Sequence, residues 1–242
     1  MNNTMLSRFG FHCLPFTREI RVAERFTHEV FDRPLQYLLR AVDKRMSAAL
    51  IAPAGTGKTT LLRALMDGLP ESRYRVRYVK VTDLCKRDLC REIGTAVGIE
   101  PTGNFPTLVR RLQERFSNDL DVDAVRPVLF LDDSHDMRRE VLGILRILTN
   151  FDMDSKLVLS FILAGQPPLT RLLRDERLQD VTQRLAHCAT LRPLSRKEIH
   201  DYIVHRCYIA GSASTPFDGG AMPAIYEIGR GNLRATDHLA LQ

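Results

Sequence analysis

The sequence predicts an α/β protein, a mainly parallel sheet with helices on both faces followed by a small helical lid. Three observations carry this. Short apolar runs alternate with helical stretches, the order that parallel strands joined by crossover helices require. One run, "KLVLSFILAG" (156–165), is continuously apolar, as in a strand covered on both faces. A glycine-rich stretch, "PAGTGK", lies between an apolar run and a run of strong helix formers. With 242 residues, 44% hydrophobic and 26% charged, the chain can bury a sizeable core.

Taken in order, Leu35, Leu38, Leu39 and Val42 stand at helical spacing in "RPLQYLLRAVDKR", ahead of a strand in "SAALIA". The helix "TTLLRALMDGLP" follows the glycine loop and stops at Gly68 and Pro70. "YRVRYVKV" reads as the second strand, with helices over residues 84–97 and 107–120 behind it. Residues 126–131 form the third strand, 137–151 a helix, and "KLVLSFILAG" the next strand. From "LSRKEIHDYIVHRCYIAG" onward strand signals vanish; Ser195 is an N-cap with Glu198 three residues later, and Gly211 ends that helix. The expected segments are residues 1–45, a leading segment and helix packed on the nucleotide domain; 46–193, the α/β nucleotide-binding domain; and 194–242, the helical lid.

Composition narrows the class. The longest uncharged run, residues 157–170, is shorter than the roughly 20 residues of a membrane helix and contains Pro167 and Pro168. The N-terminus "MNNTMLSRFG" lacks an apolar core with a cleavage site, so a cytoplasmic protein without a membrane partner is expected. Cys13, Cys85, Cys90, Cys188 and Cys207 are odd in number and show no C-x-x-C spacing, which reads as free thiols. His200 and His205 are five residues apart and do not stack on one helical face, so no metal-ligand pair is formed there. A net charge of +6 suits an anionic partner.

The chemistry concentrates in two motifs. In "APAGTGKTT" (52–60), Gly57, Lys58 and Thr59 fill the last positions of G-x-x-x-x-G-K-[ST], where backbone N–H groups cradle phosphates, the lysine meets the β/γ-phosphates and the hydroxyl holds Mg²⁺. Pro53, Ala54, Gly55, Thr56 and Thr60 complete that cradle for ATP. Ala52 replaces the first glycine, which is tolerable where φ stays negative.

The second motif is "VLFLDDSHD" (128–136). Asp132 ends an apolar strand and is placed to hold Mg²⁺, a helix N-cap being its other reading. Asp133 is the candidate base that polarises the attacking water, where the common pattern has glutamate. A shift of about 1 Å in a catalytic group can cost on the order of 100-fold in rate, so the missing methylene predicts slow hydrolysis. His135 reads as a surface-loop histidine or as a partner of Asp133.

With "FGFHCLPFTREI", "APAGTGKTTLLRAL", "VLFLDDSHD", "LTNFDMDSKLVLSFILAGQPPL", "QRLAHCATLRPLSRKEIHDYI" and "IGRGNLRATDHLAL", the chain resembles the AAA+ P-loop ATPases over nearly its whole length. Within them it is similar to transposition helpers of the IstB, TniB and TnsC type, with the secretion ATPase ExeA as a cousin. The resemblance implies that Gln166 is the polar sensor of the γ-phosphate region. It also makes Arg184 the arginine finger, with Arg171, Arg174 and Arg177 as rivals, and Arg234 the lid arginine, with Arg230 as its decoy. Pro15 and Phe16 would pack on adenine or in the core.

Lys80, Lys86 and Arg87 fall where such helpers track the phosphate backbone of double-stranded DNA without base preference. Arg73, Arg75 and Arg77 read instead as a solvated strand edge. The implied function is an ATP-dependent, non-sequence-specific DNA-binding regulator of transposition. It would assemble as a homo-oligomeric ring or filament on DNA and recruit or stimulate a transposase, with hydrolysis driving disassembly. The rivals are an ExeA-like secretion ATPase, whose membrane anchor and cell-wall-binding region have no counterpart before Gln242, and an ATP-switched DNA-binding module with negligible hydrolysis.

Overall fold

The computed structural model describes Leu6, residues 8–212 and residues 214–242; the remainder of the expected leading segment, residues 1–5 and Ser7, lies outside the described residues, as does Ala213. These fall into two compact units. The first comprises the described residues up to Asp32 with Pro53–Arg63 and Leu191–Gln242, the second Arg33–Ala52 with Ala64–Thr190. The expected segments followed chain order, whereas these units follow contacts, and the glycine loop groups with the C-terminal helices.

The second unit holds the sheet, whose five strands are all parallel and lie in the order β2-β3-β4-β1-β5. The inner strands β1 (Ser47–Ile51), β3 (Arg126–Asp132) and β4 (Ser160–Gly165) are almost wholly buried, which is why their sequences are apolar without alternation. β2 (Tyr74–Lys80) and β5 (Leu185–Thr190) are the borders, and both mix buried with exposed positions. The elements between them begin with α1 (Glu29–Asp43), α2 (Lys58–Asp67), α3 (Lys86–Val97) and α4 (Phe105–Asp121). After β3 come α5 (Arg139–Leu142) and α6 (Ile144–Leu148), and after β4 come α7 (Pro168–Leu173) and α8 (Gln179–Thr182). Leu89, Ile93, Leu108, Leu112 and Phe116 of α3 and α4 join Leu129, Leu131 and Phe161 of the sheet in one apolar core.

Three expectations are corrected. Residues 137–151 are not one helix but α5 and α6, joined at Gly143. Apolar periodicity continues across that joint and so conceals it. β4 begins at Ser160, four residues later than the apolar run that marked it. β5 was not expected at all; "LAHCAT" lacks an apolar run because only Ala189 is buried in this border strand.

The first unit is helical apart from its loops: α9 (Arg196–Ile209), α10 (Ala221–Gly229) and α11 (Leu233–Ala240) follow one another. The expected cap forms, with Ser195 N–H donating to Glu198 Oε2 at 2.7 Å and Glu198 N–H to Ser195 Oγ at 3.4 Å. The guanidinium of Arg192 grips both oxygens of Glu198 (2.7 and 2.8 Å), which with the capping bonds holds that carboxyl down at about 2. Gly211 takes up φ +102° just past α9.

Arg206 of α9 is buried and donates to the carbonyls of Pro15 (2.6 Å) and Thr17 (2.7 Å) and to Tyr202 Oη (2.9 Å). Tyr202 donates in turn to Asp237 Oδ1 at 2.7 Å. Burial pushes the Asp237 carboxyl up from 3.8 to about 6. A raised carboxyl pKa means that the fold favours the protonated form, so this group's stabilising contribution is complete below pH 3.8 and is lost as pH rises through about 6. Asp237→Asn, which mimics the neutral acid, is therefore expected to be more stable than the parent at pH 8 by about 1–3 kcal/mol. Urea titrations at pH 8 and near pH 4 check this, and a gap that fails to close in acid contradicts it.

Candidate nucleotide site

In the first unit, the loop "PAGTGK" bends through Gly55 (φ +76°) and Gly57 (φ +96°), conformations in which an L side chain is strained. Thr56 is buried, and both its N–H (3.3 Å) and its Oγ1 (2.7 Å) donate to Pro53 O, closing the turn. Ala52, in the place of a glycine, has no positive φ, so its methyl group is tolerated. Helix α2 then starts at Lys58, and backbone N–H groups at a helix N-terminus form an anion site.

The lid helix α11 lies against this loop. Asn232 Nδ2 donates to Ala54 O at 2.7 Å, and Arg234 N–H donates to Gly55 O at 3.2 Å. Arg234, the expected lid arginine, thus stands in the first turn of α11 with its residue exposed, while Arg230 is the left-handed cap that ends α10. Phe16, expected to pack on adenine or in the core, is buried edge-on to Phe217 at 5.9 Å. Sequence reasoning passed over Asn232, although its place two residues before Arg234 marks it as a helix cap.

In the second unit, the carboxyl ends of β1, β3 and β4 share one edge of the sheet, where Ala52, the acidic pair and Gln166 follow. Asp132 is buried; its Oδ2 accepts from Tyr78 Oη at 3.0 Å and its Oδ1 from the Asp133 N–H at 2.8 Å. Burial and the two carboxylates push the Tyr78 phenol well above its usual range, so it remains a donor. Asp133 sits in the left-handed region (φ +57°, ψ +30°), and its Oδ2 lies 3.6 Å from Lys80 Nζ. Lys80 and Tyr78 come to the acidic pair because β2 runs in parallel register with β3, with Lys80 opposite Asp132.

His135 is corrected on both readings. Its side chain is only 10% exposed, and its Nε2 accepts from Gln166 Nε2 at 2.8 Å. The ring proton then resides on Nδ1, which is buried without a hydrogen-bond partner. Gln166 is thereby held beside the acidic strand end. Arg184 forms a two-pronged pair with Asp154 (2.7 and 2.8 Å) and is 18% exposed at its side chain.

Of the other expected DNA residues, Arg87 donates to Gly103 O at 2.9 Å. Lys86 faces an open cleft of about 690 Å³ in which Arg138 pairs with Asp83, Arg139 and Arg177 with Asp175, and Arg146 with Asp180. Arg73 pairs with Asp43 and Arg75 with Asp119 and Asp123, whereas Arg77 donates to Val76 O at 3.3 Å.

The loop's backbone N–H groups, ammonium and hydroxyl suit a nucleotide's phosphates, and the carboxylate oxygens of the acidic pair are hard ligands of the kind that Mg²⁺ takes. Since outer-sphere partners orient such ligands, Tyr78→Phe is expected to raise the Mg²⁺ concentration for half-maximal ATPase about tenfold, with ATP binding in chelator unchanged. Unaltered Mg²⁺ dependence would assign the phenol to packing alone.

A parallel sheet with a glycine-rich loop following one inner strand and an acidic pair ending another defines a P-loop nucleotide-binding protein, of the AAA+ fold. The family described as AAA domain matches residues 41–173, more than half of the chain, and the chain belongs to that family. It is 29% identical over 184 residues to general secretion pathway protein A of Aeromonas hydrophila, a match that covers 75% of this chain and 33% of that protein. Its fold is similar to Cdc6p of Pyrobaculum aerophilum (TM-score 0.71, 19% identity, 92% of this chain and 62% of that one). It is similar also to Aeropyrum pernix ORC1, solved in complex with DNA (TM-score 0.66, 16% identity, 94% and 62%). A third is the Thermotoga maritima RuvB Holliday junction branch migration motor (TM-score 0.59, 20% identity, 93% and 64%). The chain thus spans a third of the curated relative and under two thirds of each of these solved chains. Among the described residues, no helix is long and apolar enough to cross a membrane.

Proposed function

We propose that this chain is an ATP-dependent, non-sequence-specific DNA-binding regulator of transposition, which assembles as a homo-oligomer on duplex DNA and recruits or stimulates a transposase. The motif set running from "FGFHCLPFTREI" to "GNLRATDHL" carries the reading. The net charge of +6 supports its DNA component, as does the fold shared with the ORC1 protein solved in complex with DNA.

In this reading Pro53 to Thr60 cradle the phosphates of ATP and Lys58 meets the β/γ-phosphates. Thr59 and Asp132 hold Mg²⁺, which when bound neutralises charge on the phosphate oxygens. Asp133 orients the attacking water and accepts its proton, while Gln166 senses the γ-phosphate region and Arg234 reports the phosphate state to the lid. Arg184 reaches a neighbouring subunit's nucleotide once it leaves Asp154. Lys86 and Arg87 contact DNA phosphates, with Lys80 shared between DNA and Asp133.

The test is fluorescence anisotropy of a random duplex with a slowly hydrolysed ATP analogue at about 50 and about 200 mM salt. Analogue-dependent binding that weakens at least tenfold is expected, because released counterions oppose phosphate contacts. Absence of binding, or binding indifferent to salt, refutes the DNA role. Lys58→Ala should abolish the analogue's effect. A second reading, a secretion ATPase, is favoured by the 29% identity to general secretion pathway protein A; under it, DNA leaves the ATPase rate unchanged.

A further inference from the structure

Backbone N–H groups that turn inward to an anion leave the loop carbonyls facing outward, where donors on another element can fix them. Here two successive carbonyls find their donors on one helix: Ala54 O on the Asn232 carboxamide (2.7 Å) and Gly55 O on the Arg234 N–H (3.2 Å). The same Asn232 side chain caps α11, its Oδ1 accepting from Ala235 N–H at 3.1 Å. The approach leaves no room for a side chain between them, since a Cβ on Gly55 would stand 2.3 Å from Asn232 Oδ1. Leu233 fills the next step of the seam, 3.2 Å from where a Cβ on Gly57 would be.

We propose that Asn232 is a positioning residue that ties the phosphate loop to the lid, so that the loop's conformation sets the angle of α11 and the reach of Arg234. It rests on the reading of this loop as the ATP site. The side-chain chemistry is restrictive. Aspartate can cap the helix but has no N–H for Ala54; serine can cap but is too short to reach it; glutamine has the N–H on a stem one methylene too long for the cap. Loss of the tie leaves the cradle's N–H groups in place and removes what holds the carbonyl side, so bound nucleotide escapes faster while the fold is retained.

The test uses the full chain and a fluorescent ATP analogue, with release followed by stopped flow and thermal melting as the control for structure. Asn232→Ser keeps a capping hydroxyl, so its melting temperature should match the parent, while release is expected to quicken about fivefold, the worth of one hydrogen bond. Asn232→Asp, which also caps, should release at least as fast. Because Asn232 acts through the lid, adding Asn232→Ser to Arg234→Ala should change release no further. Parental release in Asn232→Ser, or effects of the two substitutions that multiply independently, overturns the proposal; so does a release change that merely tracks a lowered melting temperature. A parent chain that fails to bind the analogue, or a Lys58→Ala variant that binds it normally, defeats the nucleotide reading itself and is seen before any Asn232 variant is measured.

Discussion

Arg206→Ala is expected to lower the folding free energy by about 3–5 kcal/mol, the cost of removing one partner from a buried charged network. The guanidinium is 4% exposed and supplies donors to Pro15 O, Thr17 O and Tyr202 Oη, with Asp237 Oδ1 at 3.8 Å. Alanine leaves two carbonyls without a charged donor and the Asp237 carboxyl without its cation, and it removes the guanidinium packed against Phe16 and Tyr202. At about 2–4 °C per kcal/mol for a chain of this size, the melting temperature should fall by roughly 10 °C. Arg206→Lys should recover only part of this, because one ammonium cannot span three acceptors in a fixed plane. A melting temperature within about 2 °C of the parent would mean that the leading segment is not anchored by this side chain.

For catalysis the largest expected effect lies at Asp133. Asp133→Asn should lower ATP turnover at least 100-fold by removing the base, with nucleotide binding retained. Asp133→Glu should raise turnover by about 10- to 100-fold, since it restores the reach that a carboxylate one methylene shorter lacks. A countervailing cost is built into the backbone. Residue 133 is left-handed (φ +57°), a region in which aspartate is favoured over longer side chains because its short polar group bonds locally. The glutamate variant is therefore expected to lose about 1 kcal/mol of stability while it gains rate. Steady-state turnover with saturating Mg²⁺ and ATP, read beside a melting curve, separates the two effects. Should Asp133→Glu turn over no faster than the parent, reach is not what limits hydrolysis.

The inner strands and the phosphate loop were legible because their signals are contiguous. A strand buried on both faces must be apolar throughout, and a phosphate nest needs its glycines and lysine at fixed spacing. β5 was not legible, since a border strand with one buried alanine has no hydrophobic signature; only its parallel register with β1 makes it a strand. The same holds in the site. Lys58, Asp132 and Asp133 announce themselves locally, whereas the Tyr78 phenol reaches Asp132 across 54 positions and Asn232 reaches Ala54 across 178. Such pairs are set by strand register and helix docking, which a linear pattern does not encode. His135 misled for the opposite reason: a polar residue after a strand looks solvent-facing, but the turn at Asp133 directs it inward to Gln166.

The two borders of the sheet have a consequence for how copies of this chain can associate. β2 carries Arg75, Arg77 and Lys80 along its length, and β5 presents His187, tilted against Tyr37 with ring centroids 4.5 Å apart, and an exposed Thr190. Charged and polar side chains on an outer strand obstruct the approach of a second backbone, so neither border can template a continuous sheet across molecules. Association between copies is thereby directed to side-chain surfaces. An assembly of that kind can be taken apart and rebuilt without unzipping a ladder of backbone hydrogen bonds.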